Sequence, residues 1–497
     1  MAENFLKVMD FGNEAGDDVD SEELESYFVK QELFKDFENP RCKFQIALAK
    51  KGVGKSALLQ WLADNFSKAE DALVIKCRGA DITRSCFNLS NKIENPNEYI
   101  RDWMTRICAI INRKIAQKIG FAGTDDKITL VEDAELNGFK DKNLVGCLIS
   151  RFTKLLDKIA PEKKDVKNHH EILKRLKYQK VYLLIDDLDA TFQNTERERL
   201  EVSTFFSACR YLLQDIAGLY VRVTLRSDVW PIIRKYDESL DKVEQYTKEI
   251  VWEQNDFREF LFKRIHAQLI KGSFSNLCKT DGELEEEFHE RIISTIFERK
   301  LHWGKKDSWT HNVIHTLSYK RPRWGIQLCK LAQKNCLRDR RSKICKVDID
   351  AVWGEYGSKR IKDLVSEHKH QCANLVELLN AFRGEDRRLT RDELLSIIKN
   401  KIINHLDTFI EGKNQNGPIE IAHFLFRIGF IVARSEAEDE VGDGYGHYDF
   451  ESQSDFLCDR TSNDFNVLWE IHPCYRQALD IKKMNKSQRA KKGIPAY

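Results

Sequence analysis

The segment Ala49–Ser56 (AKKGVGKS) constrains the fold of this chain more than any other. It matches the phosphate-binding pattern G-x-x-x-x-G-K-[ST] at every defined position except the first, where Ala49 replaces glycine. That first glycine mainly permits the turn that leaves a strand, so alanine there removes no ligand for phosphate. Such a loop requires a strand before it and a helix after it, which predicts a phosphate-binding loop (P-loop) within an α/β fold.

Four residues of the loop have separate roles in binding a nucleotide. Gly52 and Gly54 let backbone N–H groups approach the phosphates, and the next helix directs its N-terminus at their charge. Lys55 is expected to reach the β- and γ-phosphates, and the Ser56 hydroxyl to hold Mg²⁺. The competing interpretation is a glycine loop without a ligand. The predicted nucleotide-binding residues are Gly52, Val53, Gly54, Lys55, Ser56 and Ala57.

Around the loop, apolar runs alternate with amphipathic helical patterns. Continuous apolar strands that alternate with helices are typical of a parallel sheet covered on both faces. The predicted fold class is therefore α/β, with a parallel-sheet P-loop NTPase core. The runs that indicate strands are 43–48, 72–76, 181–185 and 219–225, and the patterns that indicate helices are 55–66, 97–119, 141–159 and 196–215.

Acidic residues end the third apolar run, in the segment Val181–Asp189 (VYLLIDDLD). The carboxyl end of a parallel strand faces the ligand, so Asp186 is the candidate Mg²⁺ anchor, acting through water. Asp187 would orient or deprotonate the attacking water as a general base. Asp189 would either support the residues that touch the ligand, without touching it itself, or cap a helix. The alternative is an exposed acidic turn without a metal.

Two arginines are candidate phosphate sensors. Arg226 directly follows the apolar run 219–225, so it is predicted to reach the γ-phosphate from the same sheet edge. The second is Arg323, near the start of a helix that Pro322 favours. Arg321 and Arg323 would both lie at the positive end of that helix, which indicates an anionic partner. Solvated surface arginines are the alternative for both sites.

Changes of pattern divide the chain into five segments. The pattern from 256 to about 348 is helical throughout, so this segment is expected to form a helical lid. Beyond it, helices followed by a small β-hairpin indicate a winged-helix-like domain. In that domain, helices near 373–382 and 390–410 precede the segment 418–427. Short β-like runs at 429–433 and 467–472 follow, around a glycine-rich, acidic loop, 435–447. The segments are an acidic helical N-terminus (1–40), the P-loop core (41–255), the helical lid (256–350), the winged-helix-like domain (351–480) and a basic tail (481–497).

Together these motifs resemble the AAA+/STAND superfamily of P-loop ATPases over residues 25–475. The block LLIDDLD resembles KAP-type and related bacterial STAND-like ATPases, and TLRSD resembles the strand-end arginine of STAND proteins. The segment KRPRWGIQLCKLA is similar to the second-sensor helix of origin-recognition-type ATPases, and it aligns Arg323 with the sensor. Two positions depart from the pattern: Ala49 replaces glycine, and Asp187 stands where most AAA+ enzymes carry glutamate.

The resemblance implies an ATPase that uses ATP and Mg²⁺, with Lys55, Asp187, Arg226 and Arg323 in the active site. It also implies a nucleotide-dependent switch or assembly module that forms a homo-oligomer or joins an effector protein, with an arginine supplied by a neighbouring protomer. The shorter Asp187 side chain would suit the slow hydrolysis of a switch. The biological setting implied by the resemblance is bacterial defence against phage, or a DNA transaction.

Composition predicts a cytoplasmic chain that makes no membrane contact. Thirteen cysteines without a C-x-x-C pair suit reduced thiols, and no apolar stretch is long enough to span a bilayer. The net charge of +2 means that any nucleic-acid surface must be local. Two alternatives remain open: a nucleic-acid-binding module whose P-loop is regulatory, and a sensor scaffold whose winged helix binds protein. The acidic loop favours protein over phosphate, through Glu436, Glu438, Asp439, Glu440 and Asp443.

Overall fold

The predicted P-loop lies in the first of two units into which the chain folds. The first unit is Ala15–Val251, and the second combines Met1–Glu14 with Trp252–Tyr497, so the predicted N-terminal segment 1–40 is divided between them. The structure is a computed structural model. It describes residues 2–14, 16, 19–84, 95–118, 180–190, 192, 194–216, 218–272, 278–304, 306–414, 416–436, 445–450, 452–453, 455–458 and 467–483.

A five-stranded parallel sheet forms the centre of the first unit. All of β1 is buried, and so is β3 beyond its first residue, which explains why both are continuous apolar runs. The order across the sheet is β2-β3-β4-β1-β5, so β4 lies between β1 and β3 and the residues after these three strands meet at one edge. The strands are β1 (Phe44–Leu48), β2 (Ala72–Arg78), β3 (Lys180–Asp186), β4 (Leu219–Leu225) and β5 (Thr247–Glu249).

Most predicted helices of the first unit form with bounds close to those expected. The helix after the P-loop and the one that ends at Asp215 both begin where the sequence places them. In chain order the α-helices are α1 (Ala2–Val8), α2 (Ser21–Tyr27), α3 (Phe34–Glu38), α4 (Lys55–Ser67), α5 (Gly79–Arg84), α6 (Pro96–Lys118), α7 (Glu196–Asp215), α8 (Trp230–Tyr236), α9 (Asp241–Glu244), α10 (Gln254–Lys271), α11 (Glu285–Ile293), α12 (Thr310–Leu317), α13 (Pro322–Arg338), α14 (Lys346–His368), α15 (Leu375–Asn380), α16 (Arg391–Ile397) and α17 (Pro418–Arg427).

Local chemistry and packing fix the helices that cover the sheet. Helix α7 starts with a capping box, in which the Thr195 hydroxyl accepts from the Glu198 amide and the Glu198 carboxylate accepts from the Thr195 amide. The Trp103 ring of α6 meets Phe205 of α7 edge-on, with ring centroids 5.1 Å apart. Truncating a buried aromatic of this kind to alanine costs about 3–5 kcal/mol, so this contact is a major part of the core.

The second unit is not helical throughout from 256 to 348, and that prediction is wrong. Strands β6 (Lys300–Trp303) and β7 (Lys306–Trp309) form an antiparallel hairpin in which Lys300 pairs with Trp309. The turn uses Gly304 at φ 73°, a conformation that glycine adopts without strain. Trp303 stacks on Trp353 at 5.2 Å. A four-residue strand is too short for its alternation to stand out from a helical pattern.

Helix α14 crosses the predicted boundary between lid and winged-helix-like domain at 350. Asp348 anchors its first turn, since its carboxylate accepts hydrogen bonds from the Cys345 amide and from Arg341 and Asn335. The helix then continues without interruption to His368. The predicted boundary at 350/351 therefore falls inside this helix.

The C-terminal part contains the predicted β-structure. Its antiparallel sheet has the order β10-β9-β11-β8, in which β9, β10 and β11 follow α17 and β8 precedes α16. Three strands after a group of helices agree with a winged-helix-like arrangement. The buried Trp469 ring lies edge-on to Phe426 of α17, with centroids 5.2 Å apart. The strands are β8 (Arg388–Leu389), β9 (Ile431–Glu436), β10 (Tyr445–Tyr448) and β11 (Leu468–Ile471). The α/β fold class, followed by a helical region and a winged-helix-like domain, is confirmed.

Three predictions fall on residues that the structure does not describe. They concern the helix 141–159, most of the acidic loop, and the basic tail beyond Lys483. The acidic loop residues in question are Glu438, Asp439, Glu440 and Asp443.

Candidate active site

The glycines of the P-loop hold backbone conformations that other residues rarely adopt. Gly52 has φ 81° and Gly54 has φ 117°. A Cβ added to Gly54 would meet no atom within 4 Å, so the requirement for glycine at this position is conformational. Gly54 is the N-cap of α4 and begins its hydrogen-bond ladder, with the Leu58 amide donating to the Gly54 carbonyl at 3.0 Å. The amides of the first turn are therefore directed into the loop.

Ala49 does not need the conformational freedom of glycine in this loop. It is buried, and it is not among the residues with positive φ. Its amide donates to the Leu225 carbonyl at 3.1 Å, and its own carbonyl accepts from the Ser227 amide at 3.4 Å. Ala49 thus joins the P-loop to the end of β4, and the substitution that makes the motif imperfect causes no strain.

Lys55 begins α4 and places its ammonium group at the edge of the sheet. The side chain is 7% exposed, its Nζ donates to the Ala49 carbonyl at 3.3 Å, and the same Nζ lies 4.0 Å from Asp187 Oδ1. Two residues that the sequence assigns to one site, one after β1 and one after β3, are therefore brought together.

The two carboxylates after β3 occupy different environments. Asp186 is buried and its Oδ1 accepts from the Thr224 hydroxyl at 2.6 Å and from the Asp187 amide at 3.0 Å. The Asp187 side chain is 55% exposed, and its backbone has the left-handed φ of 47°. Non-glycine residues in this conformation concentrate at functional sites, where surrounding contacts hold them in place. One carboxylate is fixed and the other faces water.

Arg226 lies after β4 between two further carboxylates. Its Nε donates to Asp228 Oδ1 at 3.0 Å and its Nη2 to Asp228 Oδ2 at 2.5 Å, which is a bidentate arrangement. Its Nε is also 3.4 Å from Asp189 Oδ2, and its backbone amide donates to Asp189 Oδ1 at 3.3 Å. Burial raises the pKa of Asp189 to about 6, although Arg226 and Lys55 counteract part of this shift.

The fold resembles solved structures of origin-recognition and Cdc6 proteins at low similarity. These include the ORC2 protein of Aeropyrum pernix in ADPNP–ADP complexes (11% identity, TM-score 0.37, 90% of this chain and 88% of that chain). They also include CDC6P from Pyrobaculum aerophilum (11%, 0.33, 93% and 96%) and Drosophila ORC bound to DNA (9%, 0.33, 96% and 90%). No known family and no curated protein matches the sequence. At these scores the likenesses carry no argument about function.

The remaining candidate residues of the loop differ in how exposed they are. Val53 is buried, Ser56 is partly exposed, and Ala57 lies on the first turn of α4. A Cβ on Gly16 would approach the Ala57 Cβ to 2.6 Å, so a glycine at position 16 lets the N-terminal segment cross this turn closely. The neighbouring residues Val19, Leu24 and Tyr27 continue the same packing against α4.

The two arginines predicted beside α13 have different surroundings. Arg321 is buried, ion-paired with Glu367 at 2.9 Å and stacked over the Trp324 ring at 4.3 Å. The expectation of an outside anionic partner for Arg321 is therefore wrong, because Glu367 is that partner. Arg323 is partly exposed and donates from Nε to the Glu14 carbonyl at 3.2 Å, within the second unit. Its role as a phosphate sensor stays a prediction.

The residues that would hold Mg²⁺ suit that ion chemically. The hydroxyl of Ser56 and the carboxylate of Asp186 are hard oxygen donors, which Mg²⁺ prefers. Among the described residues no cluster of three or more His, Cys, Asp or Glu side chains could hold a metal by itself. Mg²⁺ at phosphate sites is normally held by one or two protein groups together with phosphate oxygens and water, so such a cluster is not required.

Sequence reasoning missed two residues that shape this site. Thr224 is a buried polar residue within the apolar run of β4, and this contrast is the signal that marks it. Gly79 follows β2, where a Cβ would come within 2.4 Å of Leu188 Cα and 2.7 Å of the Asp187 carbonyl oxygen. Only glycine lets the turn after β3 pack this closely, and nothing in the local sequence indicates that contact. Separately, every helix in the described part of the chain is too short or too polar to pass through a lipid bilayer.

Proposed function

We propose that the protein is an ATP-binding and ATP-hydrolysing P-loop ATPase. The observation that carries this proposal is the approach of Lys55 Nζ to Asp187 Oδ1, at 4.0 Å, beside the buried Asp186. A lysine from the loop after β1 and carboxylates after β3 are the groups that phosphoryl transfer uses to hold phosphate, metal and attacking water. Their placement at the carboxyl edge of a parallel sheet supports a ligand site there.

Binding would exchange internal contacts for contacts with ATP. The backbone amides of residues 52–57 would bind the β-phosphate, since the start of α4 presents them with the positive end of the helix dipole. The Lys55 ammonium, which contacts the Ala49 carbonyl and Asp187 in this structure, would turn to the β- and γ-phosphates. Ser56 and Asp186 would hold Mg²⁺, which neutralises charge on the phosphate oxygens when bound.

Hydrolysis would depend on the different settings of the two adjacent carboxylates. Asp187 is open to water, so it can orient the attacking water and accept its proton. Asp186 keeps a fixed position because Thr224 and the Asp187 amide both bond to it. Arg226 would contact the γ-phosphate, and Arg323 is proposed as the second sensor on the basis of the family resemblance alone.

The proposed role of the ATPase is a switch or assembly module, with bacterial antiphage defence as the setting. Both parts rest on the resemblance of the motifs to AAA+/STAND ATPases. The partly exposed, shorter Asp187 supports slow turnover, which suits a switch better than a motor. A homo-oligomer or an effector complex would form in one nucleotide state, which light scattering with and without ATP would detect.

The decisive variant is Lys55→Ala. We expect it to abolish ATP turnover and to weaken ATP binding strongly, because it removes the cation that faces the β- and γ-phosphates. Lys68→Ala is the matched control, since Lys68 is exposed at the opposite end of α4. Turnover would be measured by phosphate release and binding by fluorescence of a labelled ATP analogue. Unchanged turnover in Lys55→Ala would contradict the proposal.

The same assay separates hydrolysis from binding through Asp187→Asn. This variant should bind ATP with near wild-type affinity and lose turnover by roughly 100-fold or more, as expected when a general base is removed. Equal turnover would remove the role assigned to Asp187. Salt-dependent DNA binding by a wild-type chain without ATPase activity would instead favour the nucleic-acid-binding alternative.

A further inference from the structure

Asp189, Arg226 and Asp228 form a buried ionic network beside the proposed ATP site. The side chains of Asp189, Arg226 and Asp228 are 1%, 13% and 9% exposed, respectively. Both carboxylates approach Arg226 Nε: Asp228 binds the guanidinium in a bidentate pair through Nε and Nη2, and Asp189 lies 3.4 Å from Nε and accepts a hydrogen bond from the backbone amide. The backbone and the side chain of Arg226 are therefore both held in place.

The contacts of Asp189 decide between the two roles that the sequence leaves open for it. Helix α7 is capped by Thr195 and not by Asp189. The carboxylate of Asp189 instead receives the Arg226 amide at 3.3 Å and faces Arg226 Nε at 3.4 Å. A buried carboxylate is unfavourable unless it is paired, and this one is paired with the residue that directly follows β4. Asp189 is therefore a partner of Arg226.

Arg226 is also connected to the P-loop through its neighbours in sequence. Leu225 accepts the Ala49 amide at 3.1 Å, and the Ser227 amide donates to the Ala49 carbonyl at 3.4 Å. Arg226 thus lies between backbone bonds to the loop after β1 and a carboxylate contact to the turn after β3. A change at Asp189 would shift the guanidinium relative to the loop that binds phosphate.

We propose that Asp189 is a positioning residue for ATP hydrolysis: it sets the place of Arg226 at the phosphate site, while Asp228 sets the rotation of the guanidinium. This inference rests on the proposed ATPase function. It assigns Asp189 no contact with ATP, so its removal should affect the chemical step more than binding. Misplacing a catalytic contact by about 1 Å can cost of the order of 100-fold in rate, which sets the scale of the expected effect.

The test is a double-mutant cycle on Asp189→Asn and Arg226→Ala. We expect Asp189→Asn to lower kcat roughly tenfold to 100-fold while leaving the affinity for a labelled ATP analogue within about threefold. If Asp189 acts only through Arg226, the double variant should be no slower than Arg226→Ala alone. Asp228→Asn, combined with Arg226→Ala in the same way, is an independent arm that leaves the most deeply buried carboxylate intact.

The matched control is Asp102→Asn in α6. Asp102 is also largely buried and paired with an arginine, Arg106, at 2.5 Å, but it lies on a helix outside the site. Its substitution should lower the melting temperature without changing kcat, which separates a loss of stability from a loss of positioning.

Several outcomes would overturn the inference. They are an unchanged kcat in Asp189→Asn, rate losses that multiply in the double variant, and a raised kcat, which would mean that the carboxylates withhold Arg226 from ATP. A wild-type chain that neither binds nor hydrolyses ATP would contradict the proposed function itself and this inference with it. An active wild-type enzyme with any of the first three results would contradict the inference alone.

Discussion

At the scale of single residues, Thr224 links the two carboxylate positions of the site. Its hydroxyl donates to Asp186 at 2.6 Å and accepts from the Asp187 amide at 3.0 Å, so one group uses both of its hydrogen-bonding capacities. The strained φ of 47° at Asp187 is held partly by this bond. Since β4 is a direct neighbour of β3 in the sheet, a residue near the end of β4 can reach both carboxylate positions.

Thr224→Val tests this link, because valine keeps the shape and removes the hydroxyl. The Asp187 amide and the Asp186 carboxylate would each lose a buried partner, which costs about 1–3 kcal/mol of unfolding free energy. Turnover should fall while ATP binding is nearly kept, since one of the two hydrogen bonds that hold the Asp187 amide is removed. Urea denaturation and phosphate release measure the two effects, and Thr224→Ser should restore both in part. Wild-type turnover in Thr224→Val would show that Asp187 does not need this support.

Individual residues were predictable where their chemistry is local in sequence. The candidate roles of Lys55, Ser56 and the glycines follow from spacing alone, because all of these residues lie in one loop, and these roles stay predictions. The pairing of Arg321 with Glu367 could not be predicted in this way, since the two residues lie on different helices and only packing brings them to 2.9 Å. The same holds for Gly79, whose requirement arises from the turn after β3, far along the chain.

At the scale of elements, buried strands were predicted well and short exposed ones were not. The runs of β1, β3 and β4 are apolar because the sheet is covered on both faces. Their burial can therefore be predicted directly from their sequence. The hairpin of β6 and β7 is mostly exposed and has only four residues in each strand. Its alternation of polar and apolar residues is therefore too short to be distinguished from the helical pattern around it. Strand β10 likewise lies at the end of the segment predicted to be a loop.

The C-terminal sheet contains a buried carboxylate that its strand neighbours stabilise. Glu470 on β11 is 1% exposed, pairs with Arg388 on β8 at 2.6 Å, and contacts Arg476 at 2.7 Å and His447 at 3.0 Å. Burial by itself would raise the pKa of Glu470, but Arg476, His447 and Arg434 outweigh it and hold the pKa well below its ordinary value of 4.5. The charged form therefore belongs to the folded sheet.

Glu470→Gln should destabilise this sheet at neutral pH by about 3–5 kcal/mol, as removal of one partner from a buried ionic network does. The sign of the pH dependence follows from the lowered pKa. As pH falls below about 4.5, the unfolded chain gains a proton at Glu470 before the folded chain does, so this contribution to stability is lost. The difference between wild type and variant should be full at pH 7 and shrink with acidification. Denaturant unfolding at a series of pH values measures it.

The control for this prediction is Asp480→Asn. Asp480 also pairs with an arginine, Arg383 at 2.6 Å, but its side chain is 71% exposed. Exposed pairs contribute about 0–1 kcal/mol, so its removal should change stability little at any pH. An equal loss in the two variants would mean that burial of Glu470 is not the cause.

At the scale of the whole molecule, the proposed nucleotide-binding loop and the C-terminal sheet lie in different units. The P-loop and the carboxylates after β3 lie within Ala15–Val251, whereas Glu470 belongs to the unit that contains Trp252–Tyr497. Binding stabilises the part of a protein that holds the ligand, by about 2.7 kcal/mol at 100 times the dissociation constant. The two units therefore give separate readings, one sensitive to nucleotide and one sensitive to the C-terminal ionic network.

Hydrogen exchange followed by peptide can read both units in one experiment. Mg²⁺ and ATP should slow exchange most in peptides that contain 49–57 and 186–189, because these would close around the phosphates and each protected amide reports the local opening free energy. Chelation of Mg²⁺ should reduce this protection and Lys55→Ala should remove it. Glu470→Gln should speed exchange in peptides of β8, β9 and β11 in the presence and absence of ATP alike. Full protection of these peptides by ATP in Lys55→Ala would mean that binding does not depend on Lys55, and it would contradict the role assigned to this lysine. Protection by ATP of other peptides alone, in the wild-type chain, would place the nucleotide elsewhere and contradict the assignment of the P-loop as the site on which the proposed function depends.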